Sequence, residues 1–431
     1  MLLLERLESM LPEGLRPILR GLVAYGLAEA GSRILRVFAI IVIARQVPPA
    51  QIGVAALALA VFEIVRVLAN SGIGQRIIAA SDAELPGICN AAHRLFYIWC
   101  TGVALVQLIV AAIIWLAFAQ GEIALMLVVL TGVYALMPGG LVRVFLLMRD
   151  GRLGTTARIG AAQTMLDHAL SMALALAWPS AWAIVLPKLL TAPVWLILVR
   201  RARKWSPAPG VTPAPARQFM RFGAGVLGTE LVVAARQQLD KVVIGALLGT
   251  EALGYYYFAF NAGVGITNSF IAALSIVLFP QLCSEKDNSK RRQRLIQATI
   301  LSLVLFVPII AAQVLLADIY VPLLFGAQWT SVAPLVAILC LAGIPAIFGA
   351  LCTAWLRATG QPERDAAIAL AASAGALLAL CGGTSFGLTT AAWAYVAALW
   401  LIQVPIAFVI LFRLPGRTSP TFPQALNGAS S

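Results

Sequence analysis

The chain has 431 residues, of which 61% are hydrophobic and 11% are charged, against roughly 25% charged in a typical soluble domain. Its mean hydropathy of +0.91 excludes an ordinary soluble fold and indicates an all-α protein that crosses a membrane many times. The net charge of +13 comes from basic residues in short connections rather than along one polar face, so we expect no nucleic-acid partner.

The N-terminal stretch 1–20, "MLLLERLESMLPEGLRPILR", contains acidic residues and no small-residue cleavage site, so it does not have the pattern of a cleavable signal. Leucines alternate with charged residues along its first half. We predict a short helix that lies on the membrane surface before the first crossing.

Twelve apolar segments follow, each long enough for about 20 residues of membrane-spanning helix. The basic, proline-rich stretch 201–218 predicts a linker between an N-terminal lobe (21–200) and a C-terminal lobe (219–413) of six helices each, and 414–431 predicts a disordered tail. The predicted crossings are roughly 21–46, 51–74, 90–118, 122–147, 155–177, 180–199, 219–247, 252–282, 295–325, 331–356, 364–382 and 388–412.

Basic residues alternate between the connections as the positive-inside rule requires. Most of the 31 Lys and Arg residues fall in stretches that twelve crossings place on one side, whereas the opposite connections, such as "VPPAQ" and "GAQWTS", hold none. Both termini are therefore predicted to be cytoplasmic. A short internal echo, "VIARQVPPAQIG" and "VIGALLGTEALG" at an offset of 201 residues, predicts that the two lobes repeat in parallel.

Ionisable side chains lie inside the predicted crossings, where each costs about 2.5–3.5 kcal/mol. Glu29, Arg33 and Arg36 share one face of the first crossing, and cations outnumber carboxylates. We predict a cationic cavity between the lobes that receives an anionic substrate. The predicted substrate-binding residues are Arg33, Arg36, Arg66, Arg143, Lys188, Arg236 and Lys241, and the predicted ion-coupling residues are Glu29, Glu63, Glu230, Asp240 and Asp167.

The alternative is that these charges neutralise one another and hold helices together. The pairs concerned are Glu29 with Arg33, Glu63 with Arg66, and Arg236 with Asp240. For a single pair both interpretations stay open, although Arg143 and Lys188 have no partner nearby in the sequence.

The sequence contains no glycine-rich phosphate loop, no nucleophile elbow and no zinc-ligand spacing. We therefore predict a transporter, not an enzyme, with no cofactor and no metal site.

Several strings in order resemble the polysaccharide-transport branch of the multidrug/oligosaccharidyl-lipid/polysaccharide exporter superfamily. They are "RVFLLMRDGRLGTTARIGAAQTMLDHALSMALAL", "LDKVVIGALLGTEALGYYYFAF", "SIVLFPQL", "LLFGAQWTSVAPLVAIL" and "WLRATGQP". The resemblance implies two lobes forming a V around a cationic cavity. It also implies a bacterial inner-membrane flippase that moves polyprenyl-pyrophosphate-linked oligosaccharide outward by alternating access, for exopolysaccharide, capsule or O-antigen synthesis.

The expected partners are that lipid-linked substrate and membrane lipids, with a polysaccharide polymerase and glycosyltransferases as further candidates, and we expect a monomer. The alternative function is an ion-coupled multidrug exporter of the same superfamily, which would favour a less basic cavity.

The alternation of basic residues generates a topology prediction. In a background without the six native cysteines, single cysteines in 201–215 should react with a membrane-impermeant maleimide from the cytoplasmic side only. Cysteines in 327–330 should react from the outer side only. Labelling of 327–330 from the cytoplasm would contradict the arrangement of twelve helices.

Overall fold

The computed structural model describes residues 16–69, 72–285 and 287–412, and this part of the chain is helical and contains no strand. The predicted surface helix before residue 16 and the predicted tail lie outside the described residues. The side chains of residues 16–30 also lie outside the description, so the pairing predicted for Glu29 stays a prediction.

The described helices are separated by short connections and breaks. Their bounds are α1 (Arg16–Gln46), α2 (Pro49–Val67), α3 (Ile73–Ile78), α4 (Leu85–Phe118), α5 (Gly121–Leu130), α6 (Gly132–Leu136), α7 (Pro138–Arg149), α8 (Leu153–Ala177), α9 (Trp182–Leu190), α10 (Ala192–Ala202), α11 (Arg217–Ser284), α12 (Asn288–Leu315), α13 (Ala317–Phe325), a 3-10 helix (Ala327–Val332), α14 (Ala333–Cys340), α15 (Gly343–Ala358), α16 (Pro362–Thr384) and α17 (Leu388–Phe412).

Each predicted crossing coincides with helical structure in the described residues. Within that part of the chain, eight helices are long and apolar enough to cross a membrane, or nine if the pair Gly121–Leu136 and Pro138–Arg149, bent by 53°, is counted as one crossing. The chain is thus a multi-pass membrane protein, and the number twelve stays a prediction. The helices α1 and α8 are not among the eight, and both carry charged residues within their length.

The chain forms two compact units, Met1–Gly245 and Ala246–Ser431. The boundary falls in the first part of α11, and the basic stretch 201–218 belongs entirely to the first unit. The division into lobes at 201–218 stays a prediction.

The long helix α11 is interrupted at Gly249, which has φ 87° and ψ 172°. Glycine adopts positive φ without the steric cost that a Cβ atom brings. The break lies 201 residues after Pro48, the extended residue (φ −60°, ψ 146°) between α1 and α2. The offset equals that of the sequence echo, so both echoed segments contain a helix break at the same place.

In the first unit α1 packs along α8, α8 packs on α9, and α2 and α4 both pack on α5. A buried polar network joins α4 to the broken helix α5–α6. Gln107 has no exposed surface; its Nε2 donates to the carbonyl of Leu127 at 2.7 Å, and its Oε1 accepts from Tyr134 Oη at 2.8 Å. The interruption at Thr131 lies beside this network, and Gln107 Nε2 is also 3.5 Å from Thr131 Oγ1.

The proline-rich linker lies against the first unit. Asn90 on α4 donates from Nδ2 to the carbonyls of Ala208 (2.9 Å) and Val211 (3.3 Å) and accepts from the amide of Ala208 at 2.9 Å. The amide of Ala214 donates to the carbonyl of Gly87 at 3.0 Å. The predicted semi-extended linker is therefore anchored along its length and is part of the unit.

In the second unit α16 and α17 form a helical hairpin that packs on α15. At the 3-10 helix, Trp329 is fully buried and its ring stacks on Phe258 with centroids 3.8 Å apart, while Phe325 meets Phe258 edge-on at 4.8 Å. Aromatic packing thus holds α11, α13 and the 3-10 helix together within this unit.

The anchoring of the linker generates a prediction about proteolysis. The change Asn90→Ala removes three hydrogen bonds to the linker, so tryptic cleavage after Lys204 should accelerate about tenfold, as expected for a loss of about 1–2 kcal/mol of opening free energy. Cleavage is measured by mass spectrometry of the intact protein in detergent. The control Gln120→Ala, which changes an exposed residue between α4 and α5, should cleave like the parent, and an unchanged rate for Asn90→Ala would contradict the anchoring role.

Candidate functional site

The helices α1, α8 and α9 of the first unit bring together charged side chains that are far apart in sequence. Asp167 on α8 is only 6% exposed, and its Oδ2 accepts a hydrogen bond from Lys188 Nζ on α9 at 2.7 Å. The second carboxylate oxygen, Oδ1, has no hydrogen-bond partner among the described residues. The lysine side chain is 36% exposed, so the pair reaches from the helix packing to accessible space.

Arg36 on α1 belongs to the same group. The ring of His168 is close enough to interact electrostatically with Asp167, Lys188 and Arg36. This arrangement follows from the packing of α1 on α8, where Gly31 comes near Met165. The electrostatic neighbours of His168 are thus one carboxylate and two permanent cations. We call Arg36, Asp167, His168 and Lys188 the α1–α8–α9 cluster.

Arg33 lies one turn before Arg36 on α1 and is partly buried; both arginines make further interactions within the chain. Their three-residue spacing keeps them on neighbouring parts of one helical face.

Glu63 and Arg66 on α2 form a second group. Arg66 Nη2 lies 2.6 Å from Glu63 Oε2, with side chains 44% and 28% exposed for the arginine and the glutamate. Both charges interact electrostatically with Tyr134, which belongs to the buried network at α6. The ion pair predicted from the sequence is thus formed, and both side chains stay partly exposed on α2.

Arg143 lies elsewhere, against the linker. Its guanidinium donates to the carbonyls of Gly139 and Trp205, and its Cζ lies 5.7 Å from the centroid of the Trp205 ring. The ring of His93 also contacts Trp205, with the ring centroids 5.3 Å apart. The structure therefore gives Arg143 a structural contact that the sequence did not indicate.

The charged residues of α11 differ in their exposure. Asp240 and Lys241 are 5% and 7% exposed, and Lys241 Nζ lies 3.1 Å from Asp240 Oδ1 and donates to the carbonyl of Gln237 at 2.7 Å. Arg236 is exposed and Glu230 is half-buried. The pairing considered between Arg236 and Asp240 is replaced by the pair of Asp240 with Lys241.

Sequence reasoning missed polar residues that stabilise the packing within each unit. Gln107 is a single polar residue in an apolar stretch and Asn90 is one in a small-residue stretch, which was the available signal, whereas Asp365 follows other charged residues and gave none. Asp365 is buried and accepts from Thr353 Oγ1 at 2.6 Å and from Arg357 Nε at 2.7 Å. Among the described residues, no group of three or more His, Cys, Asp or Glu side chains is placed to hold a metal ion.

The helical architecture defines a class of protein. A solved structure of a multidrug resistance MATE family transporter of the MOP superfamily matches 90% of this chain and 93% of its own at TM-score 0.61 and 17% identity. A solved structure of the lipid II flippase MurJ matches 91% of this chain and 88% of its own at TM-score 0.72 and 14% identity. The chain therefore has the fold of these polytopic membrane transporters.

Comparison of the sequence assigns the chain to a family. The profile of the family described as "Polysaccharide biosynthesis protein" matches residues 42–334, so the chain belongs to that family. The lipopolysaccharide biosynthesis protein WzxC of Escherichia coli (strain K12) is 22% identical over 74% of this chain, and the succinoglycan biosynthesis transport protein ExoT of Rhizobium meliloti (strain 1021) is 24% identical over 73%. The matches span 63% and 64% of those relatives' lengths.

The Asp167–Lys188 contact generates a stability prediction. The change Lys188→Met leaves a buried carboxylate without its cation and should lower the free energy of unfolding by about 1–3 kcal/mol, less than the roughly 3–5 of a fully enclosed pair because Lys188 is partly exposed. Adding Asp167→Asn should recover most of this loss, since no unpaired charge then stays buried. Thermal unfolding in detergent followed by tryptophan fluorescence measures both.

The matched control is Arg66→Met, which breaks the more exposed pair with Glu63 and should cost about 0–1 kcal/mol. A double variant as unstable as Lys188→Met alone would show that the charge pair is not what Lys188 contributes.

Proposed function

We propose that this chain is a flippase that moves a polyprenyl-pyrophosphate-linked oligosaccharide from the cytoplasmic to the outer leaflet of a bacterial inner membrane. The observation that carries the proposal is the α1–α8–α9 cluster, in which Arg36 and the partly exposed Lys188 come from different helices of an apolar unit. Ionisable side chains inside a membrane-spanning unit are costly, and they commonly mark the path of a substrate or an ion. A pyrophosphate supplies the counter-charge and the acceptor oxygens that guanidinium groups bind well.

The similarity to named relatives supports the same proposal. Two relatives carry the words "lipopolysaccharide biosynthesis" and "biosynthesis transport" in their names, and the structural match to MurJ adds a protein named as a lipid II flippase. We extend the cargo class to this chain, with the glycan left open and with transport rather than catalysis as its activity. Both termini are proposed to be cytoplasmic.

Within this proposal Arg33 and Arg36 bind the pyrophosphate together with Lys188. Arg66, Arg236 and Lys241 stay candidates for contacts with the cargo; the first two are exposed, whereas Lys241 is buried against Asp240. Arg143 is assigned to the linker instead, because its guanidinium contacts Trp205.

Coupling to an ion gradient is assigned to a carboxylate, since among these groups only a carboxylate can bind either a proton or sodium, whereas the His168 imidazole binds a proton alone. Asp167 is the first candidate because its Oδ1 is buried without a hydrogen-bond partner among the described residues. Glu63, Glu230 and Asp240 are the other candidates on described side chains, and Glu29 stays a candidate from the sequence. If Asp167 couples, Asp167→Asn should transport equally fast with and without an imposed gradient in liposomes.

A multidrug exporter is the second candidate, because a multidrug transporter structure shares the fold. The two functions differ in the charge of the cargo. An exporter of cationic drugs is poorly served by a cluster that contains an arginine and a lysine.

The substitution Arg36→Ala tests the proposed role. Flipping of a fluorescently labelled polyprenyl-pyrophosphate-linked oligosaccharide in liposomes should fall about tenfold or more, because a charge-assisted hydrogen bond is worth about 1.5–3 kcal/mol. Arg36→Lys should restore only part of the rate, since a point charge does not reproduce the guanidinium fork. Accessibility of the label to an added quencher measures flipping.

The matched control is Arg158→Ala on the same helix as Asp167, an exposed arginine that should leave flipping unchanged. Full activity of Arg36→Ala, with the protein inserted at the parental level, would remove Arg36 from the binding site. Transport of a cationic dye in place of the lipid-linked sugar would favour the exporter.

A further inference from the structure

The second unit contains a groove of about 270 Å³ between α15, α16 and α17. Its walls are apolar: Leu356 comes from α15, Ile368 from α16, and Pro405 and Val409 from α17. Arg364 is the one charged residue that lines it. Pro405 and Val409 are exposed, so this part of the groove opens to the surroundings of the helices rather than into the packing of the unit.

Arg364 lies in the first turn of α16, and Pro405 and Val409 lie in the last third of α17. The two helices form a hairpin, so both stretches are at the same end. The end of a membrane-spanning helix is where hydrocarbon gives way to headgroups. The groove thus combines an apolar wall facing acyl chains with a cation at headgroup level.

The charge of Arg364 is not neutralised by the neighbouring carboxylate. Asp365, the next residue, is buried and is occupied by Thr353 and Arg357. Arg364 donates from Nη1 to Gln361 Oε1 at 2.6 Å, and in the described part of the chain it makes no ion pair with a carboxylate. Its guanidinium therefore carries a positive charge next to the groove, and an anion would complement it.

From the apolar walls and this uncompensated charge we infer that the groove is a binding site for an anionic phospholipid of the surrounding membrane. One acyl chain lies along Ile368, Pro405 and Val409, and the headgroup phosphate accepts hydrogen bonds from Arg364. The guanidinium fork matches phosphate oxygens, which a zwitterionic headgroup presents with a competing ammonium. The occupant is a bulk lipid, distinct from the lipid-linked cargo proposed above, so the inference is independent of the proposed function.

The test uses the full chain in nanodiscs that contain equal amounts of phosphatidylglycerol and phosphatidylethanolamine. In separate samples one of the two lipids carries a photoreactive diazirine on its acyl chain, and labelled peptides are identified by mass spectrometry. Peptides that contain Ile368 and Val409 should be labelled about fivefold more by the phosphatidylglycerol probe, the preference that one basic residue near an anionic surface confers.

Variants then test the charge and the apolar wall of the groove separately. Arg364→Gln should bring the two probes to equal labelling, and Arg364→Lys should keep a preference. Val409→Trp fills the groove and should reduce labelling by both probes there. The matched control Lys290→Gln removes an exposed cation of the same unit outside the groove and should leave the preference unchanged.

Equal labelling by both probes in the parent protein would overturn the inference and leave only non-selective annular lipid. A preference unaffected by Arg364→Gln would overturn it as well. Stronger labelling by a photoreactive polyprenyl phosphate than by phosphatidylglycerol would assign the groove to the lipid-linked cargo. Absence of groove labelling, together with protection of these peptides by the chain's own segment after residue 412, would assign it to that segment.

Discussion

The cost of placing polar groups in hydrocarbon is the constraint on which the rest of the structure depends. With few charges in a long apolar chain, each buried polar group has to find its partner inside the protein. Asp167 forms an ion pair with Lys188, and Asp240 forms one with Lys241. Gln107 hydrogen-bonds with Tyr134 and with a backbone carbonyl. These contacts join different helices or fix a side chain within one, and they determine which helix faces turn inward.

The same constraint explains where helices break. Irregular backbone is tolerated at membrane depth only where protein groups satisfy it. The interruption near Thr131 is accompanied by Gln107, which donates to the carbonyl of Leu127. The clustered charges and the broken helices are therefore two results of one requirement.

The proline-rich linker is fixed to the first unit by hydrogen bonds. Its prolines have no amide donor, but the amides of Ala208 and Ala214 donate to the unit while other linker groups accept through their carbonyls. Asn90 and Arg143 supply the donors, and both reach linker backbone. The linker, whose composition is typical of a flexible tether, is thereby fixed to one unit. Arg143, which the sequence predicted to bind the substrate, contacts this linker.

Periodicity and hydropathy determined the helical class, the positions of the helices and the presence of charge inside them, because these depend on local composition and on the cost of charge in lipid. The pair of Glu63 with Arg66 was also accessible from the sequence, since three-residue spacing makes helical neighbours. Only the tertiary structure decided that Asp167 meets Lys188, that Arg36 joins them, and that Arg143 turns to Trp205. Such contacts depend on how helices pack, and packing is set by the shapes of many side chains at once, which no local pattern encodes.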